Sequence, residues 1–178
     1  MNHGAEEFIG EMVDKYPTIR GRILEIGSRD CGGTPRHWFT EGPDGVPVRY
    51  EHAVPTERFP SYIGIDIVQG NAVDRVMDAH HMEFADESFD IVISTSHMEH
   101  DSDPFQTMRE VNRVLTPGGY FIFTAPSWRG QPHHCDHDYW RFTLEGAQRL
   151  LQIGNLSEVE LREREDCNDV MALGRKEI

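Results

Sequence analysis

The residues best suited to chemistry in this 178-residue sequence stand directly after short apolar segments. Asp66 follows the segment at 62–65, and Asp78 and Ala79 follow another at 75–77. A carboxylate at such a position can accept the hydroxyl groups of a ribose, and a carboxylate beside a small residue suits the edge and face of an adenine. One such residue is more often a surface or capping group, but their succession favours a nucleoside site.

A glycine-containing turn follows the first apolar segment, at 22–26. Gly27 permits a tight turn from strand to helix and lets a ligand approach the backbone closely. A dinucleotide-binding turn needs the pattern Gly-x-Gly-x-x-Gly, but Arg29 occupies its second glycine position. The turn therefore disfavours a nicotinamide cofactor, and on its own it is more often structural than ligand-binding.

Histidines form a second set of candidates, because the chain has ten and most follow the third to fifth strand-like segments. His97 and His100 come after the segment at 89–94, and their near-neutral pKa suits a general base. The alternative for His100 is a structural hydrogen bond near the start of the next helix. We predict that activity or cofactor affinity changes between about pH 5.5 and about pH 7.5.

The segment at 126–142 combines histidine, aromatic residues and arginine. One interpretation is a metal site at His133, His134, Cys135 and His137, but these ligands lack the paired spacing of zinc sites. The other is a substrate-side loop whose aromatic residues and arginine could bind an acceptor, and the residues alone leave both interpretations open. Its candidate substrate-binding residues are Trp128, His137, Tyr139, Trp140 and Arg141, together with His97.

Alternating strands and helices must position these residues. The hydrophobic pattern predicts strands at 22–26, 62–66, 75–77, 89–94, 120–123, 159–164 and 169–173, and helices at 6–16, 34–39, 104–114 and 143–152. Phe105 and Leu144 are expected on the inner faces of their helices, and a turn is expected at 116–119. Such alternation is typical of a doubly wound, mostly parallel α/β sheet with helices on both faces, which binds ligands at the carboxyl ends of its strands.

Length predicts a single domain over residues 1–178, with an N-terminal helix within 1–20, a proline-rich loop insertion at 41–60 and the substrate-side loop at 126–142. Seventeen basic and 31 acidic residues give a net charge of −14, which argues against a nucleic-acid partner. No apolar run is long enough to cross a membrane, and no signal-peptide pattern opens the chain. Three cysteines without paired spacing favour a cytoplasmic location. No coiled-coil pattern occurs, so a monomer or homodimer is expected.

Seven short motifs occur in a characteristic order. They are LEIGS at 24–28, YIGID at 62–66, MDAH at 77–80, FADESFDIVIS at 84–94, MEH at 98–100, REVNRVLTPGG at 109–119 and HDYWRFT at 137–143. Together they resemble the small stand-alone class I S-adenosylmethionine-dependent methyltransferases, over about residues 23–174. The segment at 41–60 is longer than is usual in that family.

The resemblance implies a Rossmann-like, seven-stranded sheet with an antiparallel last strand and S-adenosyl-L-methionine as the cofactor. It also favours the substrate-side loop over the metal site at 133–137, so no metal is expected. It places Glu25, Gly27 and Ser28 by the methionine moiety, Asp66 at the ribose, Asp78 and Ala79 at the adenine and Ser94 near the sulfonium. The complete predicted cofactor set is Glu25, Gly27, Ser28, Arg29, Asp30, Asp66, Ile67, Asp78, Ala79, His80, Ser94 and Thr95.

The reaction that this resemblance implies is methyl transfer to an oxygen or nitrogen of a small-molecule acceptor, with His97 and His100 as candidate catalytic bases. The Asp-Pro-Pro-Tyr and Pro-Cys elements of DNA methylation are missing after the relevant strands, which agrees with the acidic charge. The alternative is a non-catalytic protein that binds S-adenosylmethionine, another nucleoside or a partner on the same scaffold.

Overall fold

The computed structural model describes residues 3–29, 58–132 and 137–178. Within these ranges the elements follow the order α1 (His3–Lys15), β1 (Arg22–Ile26), β2 (Ser61–Asp66), β3 (Arg75–Val76), β4 (Phe89–Thr95), α2 (Pro104–Val114), β5 (Leu115–Pro126), α3 (Leu144–Ile153), β6 (Leu156–Arg164) and β7 (Asp169–Lys176). The predicted helix at 34–39 and residues 41–57 of the predicted insertion lie outside the described residues.

The seven strands form one sheet in the order β3-β2-β1-β4-β5-β7-β6. Every strand is parallel to its neighbours except β7, which is antiparallel to both β5 and β6. The predicted sheet with an antiparallel last strand is therefore confirmed. Strand order reverses between β1 and β4, and ligands bind at such a reversal in open α/β sheets. The register places Ile26 of β1 beside Ile65 and Ser94, so three strands end together at this point.

Each face of the sheet packs on its own hydrophobic cluster, because successive strand residues point to opposite sides. Ile23 and Ile91 contribute to the cluster on which Phe8 and Met12 of α1 pack. The other face packs on residues of α2 and α3, and its cluster is built from Leu24, Ile26, Val92, Phe121, Phe123, Met108, Val111, Ala147, Leu150 and others. Helices therefore cover both faces, as predicted, and the two clusters hold the strand ends in place.

Both helices of the second face begin at a capping side chain. Asp103 accepts a hydrogen bond from the backbone N–H of Gln106 at 3.1 Å, and Pro104 occupies the first helical position. Thr143 Oγ1 accepts from the backbone N–H of Gly146 at 3.0 Å. These caps satisfy helix donors that otherwise lack partners. The start of α2 thereby becomes a fixed point close to the end of β4.

Three details differ from the sequence-based expectations. Phe105 is 42% exposed, because it lies about 120° from the centre of the buried stripe of α2 at 3.6 residues per turn. Leu144 is 36% exposed at the first turn of α3, before the buried stripe begins. The predicted turn at 116–119 belongs to β5, whose pairing with β4 shifts register between Phe89 and Ile91.

Candidate active site

A cavity of about 300 Å³ opens at the carboxyl ends of β1, β2, β3 and β4. Six residues of the predicted cofactor set line it: Gly27, Asp66, Ile67, Asp78, Ala79 and His80. Four candidates for catalysis or substrate binding line it as well: His97, His100, His137 and Tyr139. Five further lining residues were not predicted from the sequence: Ile26, Ile65, Met77, Asp101 and Ser102. Distant parts of the sequence thus meet at one opening.

The carboxylate of Asp66 joins the end of β2 to the turn after β1. Its Oδ1 accepts from the backbone N–H of Val68 at 2.9 Å, and its Oδ2 accepts from the backbone N–H of Arg29 at 3.3 Å. A carboxylate has about four acceptor positions, so it retains capacity for ribose hydroxyl groups. Arg29 itself contributes its backbone here and does not line the cavity.

Asp78 and His80 form the edge of the cavity at the end of β3. Asp78 Oδ1 accepts from the backbone N–H of His80 at 2.8 Å, while the Asp78 side chain remains 47% exposed. The ring of His80 lies between two carboxylates, with Nε2 2.6 Å from Asp101 Oδ1 and Nδ1 3.3 Å from Asp78 Oδ1. Burial lowers the pKa of His80, but the hydrogen bond to Asp101 and the surrounding negative charges outweigh it and raise that pKa above its usual value.

His97 lies across the cavity, against the glycine turn. Its Nδ1 is buried and has no hydrogen-bond partner among the described residues. Burial lowers the pKa of His97 below its usual value, which favours a neutral imidazole. Gly27 has a φ of +74°, and a Cβ at this position would lie 2.6 Å from the Cβ of His97. Glycine is therefore required both for the backbone conformation and for the close approach of His97.

The loop between β4 and α2 also holds the segment at 137–141. His100 Nδ1 donates to the carbonyl oxygen of His137 at 2.5 Å, which leaves Nε2 as the only nitrogen of His100 that can act as a base. The carbonyl oxygen of Glu99 accepts from the backbone N–H groups of Tyr139 at 2.7 Å and Trp140 at 3.2 Å. The rings of His137 and Tyr139 stack with their centroids 5.5 Å apart. These contacts place both rings at the cavity.

Glu99 is a fully buried carboxyl group beneath this loop. Burial raises its pKa to about 8. One of its oxygens lies 3.7 Å from Nε2 of His100. At neutral pH the protonated, uncharged form of Glu99 therefore predominates.

Four members of the predicted cofactor set that the structure describes are buried behind the cavity and do not line it. Glu25 is 1% exposed and accepts a hydrogen bond from the hydroxyl of Tyr62 at 2.9 Å. Ser28, Ser94 and Thr95 are also buried, and the hydroxyls of Ser28 and Ser94 have no partner among the described residues. Asp30 lies outside the described residues.

The other candidate substrate residues contact the protein itself. Arg141 donates two hydrogen bonds to the carboxylate of Asp138, at 2.6 and 2.8 Å, and others to backbone carbonyls. The indole Nε1 of Trp140 donates to the carbonyl oxygen of Asp101 at 2.6 Å. Trp128 is 58% exposed, with the guanidinium of Arg129 over its ring. These three residues do not line the cavity, because Arg141 and Trp140 hold the loop together and Trp128 faces solvent.

The candidate metal ligands at 133–135 lie outside the described ranges, and within these ranges no three His, Cys, Asp or Glu residues form a metal-binding group. None of the helices in the described part of the chain is long and apolar enough to cross a membrane. The cavity itself fits an adenosyl cofactor, since the carboxylates of Asp66 and Asp78, which line it, retain acceptor capacity.

Residues 51–123 match the family model described as a methyltransferase domain. A curated relative, the fatty-acid O-methyltransferase of Mycolicibacterium smegmatis, is 34% identical over 108 residues, which is 58% of this chain and 36% of that protein. The chain spans about two fifths of the length of the first curated relatives that it matches.

Two solved structures resemble the whole chain. A methyltransferase from Methanosarcina mazei is 15% identical and has a TM-score of 0.65, with coverage of 94% of this chain and 97% of that chain. The 1,6-didemethyltoxoflavin-N1-methyltransferase of Burkholderia thailandensis, solved with bound S-adenosylhomocysteine, is 14% identical and has a TM-score of 0.69, with coverage of 99% and 78%. This chain therefore has the class I S-adenosylmethionine-dependent methyltransferase fold, and the resemblance found in its motifs is confirmed.

Proposed function

We propose that this protein is an S-adenosylmethionine-dependent methyltransferase that acts on an oxygen or nitrogen of a small-molecule acceptor. The observation that carries the proposal is the cavity at the switch point of the sheet. Its β1–β3 side presents the carboxylates of Asp66 and Asp78, and its β4 side presents His97. A nucleoside-binding side and a side with a potential base thus face one opening.

The chain's own residues would hold the cofactor as follows. Asp66 accepts from the ribose hydroxyls, Asp78 accepts from the exocyclic amine of the adenine, and Ile67 and Ala79 contact the adenine faces. Gly27 lines the same opening, and its missing Cβ leaves room for His97 beside the methionine portion. When bound, S-adenosyl-L-methionine supplies an electrophilic methyl group on a positively charged sulfur.

His97 is the better of the two candidate bases. A hydroxyl acceptor must lose its proton as it gains the methyl group, and a protonated amine must lose one before its lone pair can attack. A neutral imidazole can accept either proton. Burial keeps His97 neutral at pH 7, and it lies at the cavity. His100 has one ring nitrogen committed to the carbonyl of His137, so its primary role is to position the segment at 137–141.

Named relatives support both kinds of acceptor atom without choosing between them. One curated relative is named an O-methyltransferase, and one structural neighbour is named an N1-methyltransferase. The small volume of the cavity, about 300 Å³, and the net charge of −14 support a small molecule over a nucleic acid. We keep the cytoplasm as the proposed location on the basis of the cysteine pattern, and a monomer or homodimer as the proposed state.

Calorimetric titration with S-adenosylmethionine and S-adenosylhomocysteine tests the proposal. The Asp66→Ala variant should bind both ligands about 10- to 100-fold more weakly, because bonds to a charged acceptor are worth about 1.5–3 kcal/mol. Asp86→Asn is the matched control, since it removes an exposed carboxylate that pairs with Arg113 away from the cavity.

Two results would contradict parts of the proposal. A folded wild-type protein that binds neither ligand would exclude the function. Unchanged affinity in Asp66→Ala would exclude the ribose assignment alone. Transfer of label from methyl-labelled cofactor to co-purified small molecules then distinguishes an enzyme from a protein that only binds the nucleoside.

A further inference from the structure

The pair formed by His80 and Asp101 joins the two sides of the cavity, and the sequence motifs do not account for it. His80 follows β3, whereas Asp101 lies in the loop between β4 and α2, 21 residues later. Their side chains meet at 2.6 Å, between His80 Nε2 and Asp101 Oδ1. Such a short contact to a carboxylate is typical of a charge-assisted hydrogen bond.

Asp101 is held rigidly from several directions. Its side chain is 2% exposed. Its Oδ2 accepts from the hydroxyl of Thr107 at 2.6 Å, its Oδ1 accepts from the backbone N–H of Asp103 at 2.8 Å, and its carbonyl oxygen accepts from Trp140 Nε1 at 2.6 Å. A buried carboxylate needs a compensating charge. Among the described residues, His80 is the side chain within ion-pair distance that can supply this charge.

His80 in turn holds the side chain of Asp78. Its Nδ1 lies 3.3 Å from Asp78 Oδ1, which also accepts from the His80 backbone N–H at 2.8 Å. The His80 carbonyl oxygen accepts from the side-chain amide of Gln106 at 3.1 Å, which fixes the His80 backbone against α2. Asp78 thus keeps one oxygen bound to His80, and its carboxylate remains exposed at the cavity edge.

We propose that Asp101 is a positioning residue of the cofactor site: it orients the imidazole of His80, which fixes the carboxylate of Asp78 where the adenine amine binds. This inference rests on the proposed function, because it assigns Asp78 to the adenine. Asp101 acts through His80 and need not touch the cofactor itself.

The protonation state of His80 controls the arrangement. An imidazolium can donate from both ring nitrogens, to Asp101 and to Asp78, whereas a neutral imidazole has only one N–H. Because the contact to Asp101 is shorter, the single N–H of the neutral ring stays on Nε2 and donates to Asp101. Asp78 then no longer accepts a hydrogen bond from the His80 ring. Asp78, Asp101 and Asp103 favour the charged form of His80, and burial and the charge of a protonated His97 oppose it. Affinity for the adenosyl group should therefore fall as pH rises above about 6.5.

The first experiment is an NMR titration of the His80 ring in the ligand-free protein, with the His80→Gln variant to assign its signal. In the wild type His80 should titrate above pH 6.5, and in Asp101→Asn its pKa should fall by about one unit or more. Asp103→Asn is the matched control, because it removes a carboxylate from the same loop while asparagine can still cap α2. Its effect on His80 should be clearly smaller. Equal His80 pKa values in the wild type and Asp101→Asn would overturn the inference.

The second experiment measures the affinity for S-adenosylhomocysteine from about pH 6 to about pH 9, around the usual pKa of histidine. Asp101→Asn should bind about tenfold more weakly at pH 7, which is within the range for indirect coupling. In His80→Gln the pH dependence above pH 6.5 should disappear, and this variant leaves Asp101 and Thr107 in place if Asp101→Asn fails to fold. If the wild type binds S-adenosylhomocysteine and Asp101→Asn binds it equally well, the positioning role of Asp101 is excluded but the proposed function is not. A wild type that does not bind would exclude the proposed function as well.

Discussion

The two histidines on opposite sides of the cavity, His80 and His97, have environments that move their pKa values in opposite directions. Burial dominates at His97 and lowers its pKa, whereas carboxylates dominate at His80 and raise its pKa. The sequence predicted one pH-sensitive window around the usual histidine pKa. From these two environments we instead expect two titrations, that of His97 below pH 6.5 and that of His80 above it.

His97→Gln tests the proposed base. The wild-type turnover should fall as pH decreases below about 6.5, because His97 gains a proton there and can no longer accept one. The variant should lose about 100-fold or more in turnover and should lack this acid limb, while its affinity for S-adenosylhomocysteine stays within a few fold. His81→Gln, which alters an exposed histidine outside the cavity lining, is the control. A variant with wild-type turnover would show that another group accepts the proton.

Glu99 provides a test of stability at the residue scale. Its folded-state pKa of about 8 lies above the usual glutamate value, so the stability that its protonated form contributes is fully present below about pH 4.5 and is lost as pH rises through 8. Relative to Glu99→Gln, the wild-type free energy of unfolding should fall by up to about 1.4 kcal/mol per pH unit in that range. Urea unfolding at several pH values measures it. If the free energies of unfolding of the wild type and Glu99→Gln change in parallel with pH, the pKa of Glu99 is not raised. Glu83→Gln, at an exposed position, is the control for the loss of a carboxylate charge.

At the scale of elements, the segment at 137–141 depends on Arg141, whose guanidinium spans Asp138 and the carbonyl oxygens of Gly130 and Gln131. Lysine cannot reproduce this planar, multiple contact. In Arg141→Lys the amides of Tyr139 and Trp140 should exchange hydrogen at least about tenfold faster, because their bonds to Glu99 open more often. Hydrogen exchange measures this directly. Arg129→Lys, at an exposed ion pair with Glu165, should leave these amides unchanged, and equal protection in both variants would show that Arg141 does not hold the segment.

The strands and helices near the site could be predicted because their signals are local. The spacing of Met108 and Val111, with Pro104 at the helix start, indicates α2 within its own eleven residues. The His80–Asp101 pair could not be predicted in the same way, because it depends on how β3 and β4 are placed on either side of β2 and β1. The burial of Ser94 likewise depends on packing. The residues at the end of β4 are all polar, so the sequence alone does not show which of them faces the cavity.

At the scale of the whole molecule, the negative charge of the chain extends into the cavity. Asp66, Asp78 and Asp101 line it, and no lysine or arginine does so among the residues that the structure describes. Together with the net charge of −14, these carboxylates produce a field that attracts cations. The same field disfavours an anionic acceptor. S-adenosylmethionine carries one more positive charge than its demethylated product, S-adenosylhomocysteine. The affinities of the protein for the two compounds should therefore depend differently on salt concentration.

We expect the affinity for S-adenosylmethionine to fall more steeply with ionic strength than that for S-adenosylhomocysteine. Raising salt from about 0.1 M to about 1 M shortens the screening length from about 10 Å to about 3 Å, which removes the contribution of carboxylates beyond the cavity. The ratio of the two dissociation constants should change by about threefold or more in favour of S-adenosylhomocysteine, since screening of exposed charges is worth about 1 kcal/mol. Paired titrations at both salt concentrations measure this ratio, and sulfate in place of chloride controls for specific anion binding. A constant ratio would mean that the sulfonium charge is recognised only by groups in direct contact with it.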